Sequence, residues 1–375
     1  MAGIYVHIPF CKKACHYCNF HFSTTHSLLP QMVQAIAQEM ELQARLAYIH
    51  EPIETIYLGG GTPSLLNHEQ LQLLFTQIHR YFTVTPHAEI TLEANPDDIN
   101  HLQLQHWKAV GINRLSIGIQ SFQEADLRWM NRAHTATQAV HCVTLAQQAG
   151  ITNISIDLMY GLPGASNQHW LQNIEQALAL QVPHISAYAL TVEEKTALHK
   201  MIEKGKISPV YDEHQAEQFH LLVHILESNG WYHYEISNFC KPGRHSQHNS
   251  NYWKGVHYVG FGPSAHSFNG VSRQWNIANN ALYITAIDNN QLPYEIEILT
   301  PLQQLNEYIM TSLRTRQGIQ FSHISTNFGQ PFNEKLLHAV APFIQQGLVQ
   351  STNDGIQLTQ RGKFFADGIA AALFQ

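Results

Sequence analysis

Three cysteines fall within eight residues of this 375-residue chain, in the stretch Phe10-Cys11-Lys12-Lys13-Ala14-Cys15-His16-Tyr17-Cys18. Thiolates are soft anionic donors, the kind that hold iron in clusters with sulfide. Three of them at CxxxCxxC spacing on one loop can converge on three corners of an iron–sulfur cube and leave the fourth iron open to a bound molecule. The spacing predicts Cys11, Cys15 and Cys18 as the metal ligands of a 4Fe-4S cluster. Two other readings stand beside it: a structural zinc site completed by His16 or His21, and three inert buried thiols. Zinc loops more often bring two separated ligand pairs. Cys142 lies in a helical pattern and reads as a small buried hydrophobe.

A loop of this kind has to be launched from something rigid, and Pro9 starts it at the end of a strand-like run over residues 4–8. Five further runs of strand character follow at 54–58, 89–93, 114–117, 153–158 and 184–188. Between them, stretches at 30–49, 69–82, 102–110, 136–149 and 169–180 space their apolar residues at three and four, as amphipathic helices do. Gly111 and Gly150 stand where helix C-caps are expected. Strand, helix and parallel strand repeated six times predict an α/β fold with right-handed crossovers, a partial (β/α)6 barrel.

Active sites of such barrels gather at the C-terminal ends of the strands. There the sequence reads Gly59-Gly60-Gly61-Thr62-Pro63, Glu93-Ala94-Asn95-Pro96, Gly118-Ile119-Gln120-Ser121, Asp157-Leu158-Met159-Tyr160-Gly161 and Tyr188-Ala189. Successive glycines let backbone groups approach a ligand closely, and a carboxylate such as Glu93 can accept from ribose hydroxyls. Each has a plainer reading as a turn or a helix cap.

The pattern changes near residue 204. A helix over 212–228 and a strand over 232–236 precede a glycine- and aromatic-rich stretch, 238–276, which reads as elaborated loop. Beyond Pro301 come helices and a hairpin over 348–358 turning at Asp354-Gly355, a smaller C-terminal α+β, winged-helix-like module. The expected division is 1–203, 204–300 and 301–375. Charge argues against nucleic acid, since 21 basic and 28 acidic residues give −7 and leave no basic footprint for a phosphate backbone. The N-terminus has no secretory pattern, and the apolar stretch 368–374 is far short of the roughly 20 residues that span a bilayer. A cytoplasmic protein without a transmembrane segment is expected.

At the cysteine loop and the strand ends the chain resembles the radical S-adenosylmethionine superfamily, and within it the oxygen-independent coproporphyrinogen III oxidase-like group. The resemblance implies a 4Fe-4S cluster whose open iron chelates S-adenosyl-L-methionine. It implies that Tyr5 and Tyr17 flank the cluster, that Gly60, Gly61 and Thr62 line the methionine end, and that Glu93 meets the ribose. Gln120, Arg132, Asp157 and Ala189 match positions that hold a second S-adenosylmethionine in the oxidase. No catalytic residue is assigned.

Two departures separate the chain from the decarboxylating oxidase. That enzyme resembles CxxxCxxCxC, whereas here Asn19-Phe20 follows Cys18; and its N-terminal extension has no counterpart ahead of Tyr5. Both fit the haem-chaperone branch, as does His248-Asn249-Ser250-Asn251-Tyr252-Trp253, which matches that branch's HNxxYW motif. Neutral imidazole is a common axial ligand of haem iron, and Tyr252 and Trp253 offer flat apolar faces. The plainer alternative is a capped turn with a core aromatic pair, and Cys240, eight residues before His248, is either buried or close to haem. The expected function is a haem chaperone, with haem and a haem-accepting protein as partners. The alternative is oxygen-independent coproporphyrinogen III oxidase.

Overall fold

The computed structural model describes residues 1–46 and 48–375. Six parallel strands, β1 (Ala2–Ile8), β2 (Ile53–Gly60), β3 (Val84–Ala94), β4 (Arg114–Gln120), β5 (Asn153–Tyr160) and β6 (His184–Ala189), alternate with helices α1 (Leu29–Leu46), α2 (His68–Tyr81), α3 (His101–Ala109), α4 (Glu124–Trp129), α5 (Ala136–Gln148) and α6 (Asn167–Ala179). This is the expected strand–helix alternation. The helix expected over 30–49 includes residue 47, which lies outside the described residues.

Side chains alternate across a strand, and here the alternation separates two chemistries. Ile4, Val6 and Ile8 of β1, Ile56 and Leu58 of β2, Ile90 and Leu92 of β3, and their counterparts on β4 to β6 face the helices and form the main core. The opposite face carries Tyr5 and His7, Tyr57, Thr91 and Glu93, Ser116, Asp157 and Ser186. The register aligns them across the sheet as Tyr5 with Tyr57, Tyr57 with Thr91, Glu93 with Ser116, and Asp157 with Ser186. That polar face is concave and forms the lumen.

The sheet does not stop at six strands. After α7 (Ala197–Glu203) and α8 (Asp212–Ser228), the short strands β7 (Tyr232–Glu235) and β8 (Asn238–Cys240) extend the β6 edge antiparallel. Helix α9 (Gln247–Trp253) follows. Then β9 (His257–Phe261) pairs parallel with β1, and β10 (His266–Phe268), β11 (Ser272–Asn276), helix α10 (Asn280–Asp288) and β12 (Tyr294–Ile298) carry the sheet outward to twelve strands. The stretch 238–276 is therefore not a loop. Its strands are only three to five residues long and acquire order by pairing with β6 and β1, far away in the chain.

A second core gathers Leu305, Ile309, Leu336, Val340, Ile356 and Leu373 from α11 (Pro301–Leu313), β13 (Ile319–Gln320), α12 (Phe321–Asn327), α13 (Gln330–Gln345), β14 (Val349–Ser351), β15 (Gly355–Leu358) and α14 (Ala366–Leu373). The hairpin turns at residues 352–354, one step before the expected position, and Gly355 opens β15. A Cβ there would lie 1.8 Å from the Ile319 carbonyl oxygen, so close approach of β13, rather than the turn, requires the glycine.

Candidate functional site

The cysteine loop is closed at its base. Phe10 is fully buried and bridges Ser23, the Cys11 amide donates to the Ser23 carbonyl at 3.0 Å, and the Ser23 amide donates to the Pro9 carbonyl at 2.9 Å. The loop is then tied outward on three sides. The Thr62 amide, just past β2, donates to the Phe10 carbonyl (2.7 Å), the His16 amide donates to Met130 after α4 (3.2 Å), and the Leu198 amide of α7 donates to the His16 carbonyl (2.8 Å). Within it, the Cys18 amide donates to the Cys15 carbonyl at 3.2 Å.

Burial pushes the Cys11 thiol up to about 11; the neighbouring Cys18 and Cys15 add to this, and a hydrogen bond with Thr62 opposes it. Cys18 is raised in the same way, chiefly by burial. Arg132 donates to Cys15 Sγ at 3.3 Å, to Asn95 Oδ1 at 2.8 Å and to the Gly118 carbonyl at 2.6 Å. Its Nε is buried with no partner. Tyr17 packs beside Cys15, Cys18 and Arg132. The donors are neighbours on a braced loop, all soft and anionic when ionised, with a cation against one of them. Among the described residues no group of three or more His, Cys, Asp or Glu side chains is gathered tightly enough to hold a single metal ion. A cluster brings its own sulfides and irons, so its ligands sit further apart than those of one zinc ion.

The expected site residues fall into three groups. Cys11, Cys15, Cys18, Tyr17, Thr62 and Arg132 stand together at the C-terminal end of the strands. Gln120 joins them through Gly118: at that glycine a Cβ would meet Arg132 Nη2 at 3.1 Å and Gln120 Nε2 at 3.2 Å. Gln120 itself has φ +67°, in a register shift at the end of β4. Ala189 ends β6 opposite Tyr160.

The second group lines the lumen below. Tyr57 donates to Glu93 Oε1 at 2.7 Å, and Tyr5 stacks on Tyr57 with ring centroids 6.2 Å apart. Burial pushes the Glu93 carboxyl up to about 7, reinforced by the charge of Asp157 and opposed by the Tyr57 hydrogen bond. Asp157 is raised by burial to about 6, against a hydrogen bond with Ser186. Tyr5 pairs through its hydroxyl with His7 Nδ1 at 3.1 Å, so it lies in the lumen below the cysteine loop. Tyr57 was missed. The register with Tyr5 marks it, since a residue aligned with a lumen position on a parallel neighbour faces the lumen too.

The glycine run also reads differently. A Cβ on Gly60 would lie 2.6 Å from the His7 ring, and one on Gly61 would lie 2.6 Å from the Phe10 carbonyl oxygen. The space these glycines leave open is filled by the chain's own β1, so their smallness seats the cysteine loop against β2.

The third group, the HNxxYW stretch, lies at the other end of the lumen. α9 is capped by Ser246, and the amides of Gln247 and His248 donate to Glu89 Oε1 at 2.9 and 3.0 Å. His248 is 2% exposed. Its Nδ1 pairs with Thr55 Oγ1 at 2.8 Å and its Nε2 with the Tyr252 hydroxyl at 2.9 Å, while the ring stacks on Tyr57 at 5.1 Å. Burial drops its pKa to about 3. Both ring nitrogens are thus occupied, and as folded His248 has none to offer an iron. Tyr252 stands edge-on to Tyr258, and Arg314 lies over the Trp253 ring at 5.2 Å. The ring of His248 sits beside Gly3 at the start of β1, about 16 Å below the Ile8 end at ~3.3 Å per residue. Cys240 is buried in β8, paired with His184 and Tyr232, and is not beside the thiol loop.

Two surface clefts, of about 230 Å³ beside Tyr48 and Phe82 and about 490 Å³ beside Trp231 and Lys241, lie near the N-terminal ends of the strands, away from the cysteine loop.

The family model of the Radical SAM superfamily matches residues 5–177, and that of the HemN C-terminal domain matches residues 299–365. The crystal structure of Escherichia coli coproporphyrinogen III oxidase (HemN), a radical SAM enzyme, superposes with a TM-score of 0.87 over 100% of this chain and 90% of that one, at 24% identity. Fold and cysteine loop together define a radical SAM protein. The heme chaperone HemW of Bacillus subtilis is 33% identical over 99% of both chains, and that of Escherichia coli is 36% identical over 70% of this chain and 69% of its own. A zebrafish relative, mitochondrial radical S-adenosyl methionine domain-containing protein 1, is 33% identical over 86% of this chain and 74% of its own. The chain belongs to the HemW family. Among the described residues no helix is long and apolar enough to cross a membrane.

Proposed function

We propose that this protein is a haem chaperone: it binds haem, holds a 4Fe-4S cluster with S-adenosyl-L-methionine, and passes haem to an acceptor apoprotein. The observation that carries the reading is likeness to heme chaperone HemW along the whole chain, at 33% identity over 99% of both sequences. The Asn19-Phe20 sequence after Cys18, where the oxidase group has a further cysteine, supports it.

Cys11, Cys15 and Cys18 hold the cluster. When bound with S-adenosylmethionine, it supplies one electron for reductive cleavage of the sulfonium. The Cys11 and Cys18 thiols are held protonated by burial, so loading iron releases protons, and at Cys11 the Thr62 hydrogen bond and the nearby Arg132 act in the opposite sense. Glu93, pre-oriented by Tyr57, accepts from the ribose. Gln120 and Arg132, which meet beside Gly118, stand with Ala189 and the raised Asp157 at the positions that hold a second S-adenosylmethionine in the oxidase. His248, stacked on Tyr57 and bonded to Tyr252, braces the far end of the lumen so that Tyr57 and Glu93 stay in place.

The chain works as three parts, 1–203 carrying the cluster, 204–300 completing the sheet on both sides, and 301–375 forming the C-terminal module with its own core. Five free cysteines suit the reducing cytoplasm. Hemin titrated into the anaerobically reconstituted full chain is expected to bind one to one. The same preparation, given coproporphyrinogen III, S-adenosylmethionine and a reductant, is expected to form no protoporphyrinogen. Sustained turnover would overturn the reading in favour of the oxidase.

A further inference from the structure

A haem chaperone that ligates iron through imidazole needs a histidine with a free nitrogen on an open surface. Three lumen histidines fail this test because each has both ring nitrogens bonded. His7 bonds the Tyr5 hydroxyl and the His21 carbonyl, His184 bonds Ser155 and Tyr234, and His248 bonds Thr55 and Tyr252.

His266 differs. It lies on β10, exposed, on the continuation of the concave face beyond β1, and it pairs across the strands with Trp275 of β11. The two rings lie 6.3 Å apart at an interplanar angle of 32°, so an indole plate stands beside the imidazole. Shielding by its neighbours, with Arg273 nearby, holds its pKa below the ordinary value although the residue is exposed, which leaves the ring neutral and able to bind a metal at neutral pH. It is close enough to His7 to depress that residue's pKa, and His7 lies 6.3 Å from His21 of the cysteine loop. His266 therefore belongs to the cysteine end of the sheet, whereas His248 belongs to the other.

The turn that delivers His266 is built at some cost. Ser264 has φ +64°, in a region that side chains rarely adopt, and Gly262 at φ +99° leaves no room for a Cβ, which would lie 2.4 Å from the His7 carbonyl oxygen. A buried carboxylate, Glu39, fixes this conformation. It accepts from the Gly262 amide at 2.7 Å, from Asn276 Nδ2 at 2.6 Å and from the Tyr283 hydroxyl, while Asn276 Nδ2 also donates to the Gly262 carbonyl at 2.9 Å. Strained backbone held by a buried polar knot persists where a side chain must be presented in one place. Here that side chain is His266.

We propose that His266, backed by Trp275, is the iron ligand of a haem seated on the open concave face at the cysteine end of the sheet. The assignment rests on the haem-chaperone reading and replaces His248 as ligand. Flat aromatic and imidazole groups suit the macrocycle, and the position brings haem to the same end of the molecule as the cluster.

The test is hemin titration of the reconstituted full chain, followed by Soret difference spectra against equally reconstituted protein and by electron paramagnetic resonance. His266→Ala is expected to shift the Soret band, to alter the iron spin-state signature and to weaken binding about tenfold or more, with thermal unfolding unchanged; added imidazole is expected to restore the spectrum. Trp275→Ala is expected to weaken binding with the spin-state signature retained. His248→Ala is expected to keep the wild-type spectrum while lowering the unfolding temperature. A wild-type spectrum and affinity in His266→Ala would overturn the assignment, as would a lost Soret band in folded His248→Ala. Wild-type protein that takes up no hemin would instead contradict the haem reading itself.

Discussion

Arg132 bonds the sulfur of Cys15 and, with the same side chain, Asn95 and the carbonyl of Gly118, so one residue ties the cluster loop to the ends of β3 and β4. Groups that orient ligands from behind typically change metal retention about 10- to 100-fold when removed. Arg132→Ala is therefore expected to lose iron and sulfide at least about tenfold faster on exposure to air, read by the decay of cluster absorbance. Glu93 makes a second prediction. Its carboxyl sits near 7 through burial, and ribose hydroxyls need the ionised form as acceptor. Affinity for S-adenosylmethionine should hold above pH 7 and weaken below it, by up to roughly tenfold per pH unit. Anaerobic calorimetry of Glu93→Gln should find weaker binding with that pH dependence flattened. At this scale the thiols were fully legible in the sequence, because CxxxCxxC is local. The state of His248 was not, because it is set by Thr55 and Glu89, more than 150 residues away along the chain.

Helix α9 shows how an element of seven residues is held in place. Seven residues cannot sustain a helix alone. Ser246 caps it, and the buried Glu89 carboxylate receives two of its first amides, where the helix dipole favours negative charge. Glu89 also faces the buried Arg114 at 3.9 Å, so removing it leaves both unpaired amides and an uncompensated cation. Glu89→Ala is expected to cost about 3 kcal/mol of stability, measured by denaturant unfolding, with residues 247–253 losing hydrogen-exchange protection first. The six βα units were readable because periodicity of two and of three to four alternates over long segments. The strands β8 to β11 were not, since three to five residues give no period to count and their order comes from partners across the sheet. The polar lumen was equally hidden, although its alternation with the core positions lies in the sequence of every strand.

Over the whole molecule, buried titratable groups set the response to acid. His7 and His134 are lowered to about 4, His233 and His248 to about 3, and His184 well below its ordinary value, all chiefly by burial. Their folded pKa values lie below the unfolded value of 6.5, so the unfolded chain binds more protons once pH falls below 6.5, and stability is lost from there down toward the folded values. Glu39 and Glu93, raised to about 7, and Asp157, raised to about 6, act in the opposite sense: the folded state binds their protons first, which adds stability as pH falls toward their unfolded values near 4. Glu235, also buried and raised, joins them, and the five imidazoles still outnumber the four carboxyls, so stability falls between pH 6 and 4.5. Below that the carboxyl contribution saturates and the fall steepens. Denaturant midpoints of the metal-free chain across pH 7 to 4 should decline accordingly, and a flat profile would contradict this account of the buried histidines. The central claim joins cluster and haem in one chain, and it is tested most directly by analysing a single anaerobic reconstitution for iron, sulfide, zinc and bound hemin. The expected composition is about four iron and four sulfide per chain, with one haem taken up and the iron lost in Cys11→Ala. A colourless, zinc-containing chain without iron, sulfide or haem uptake would contradict it.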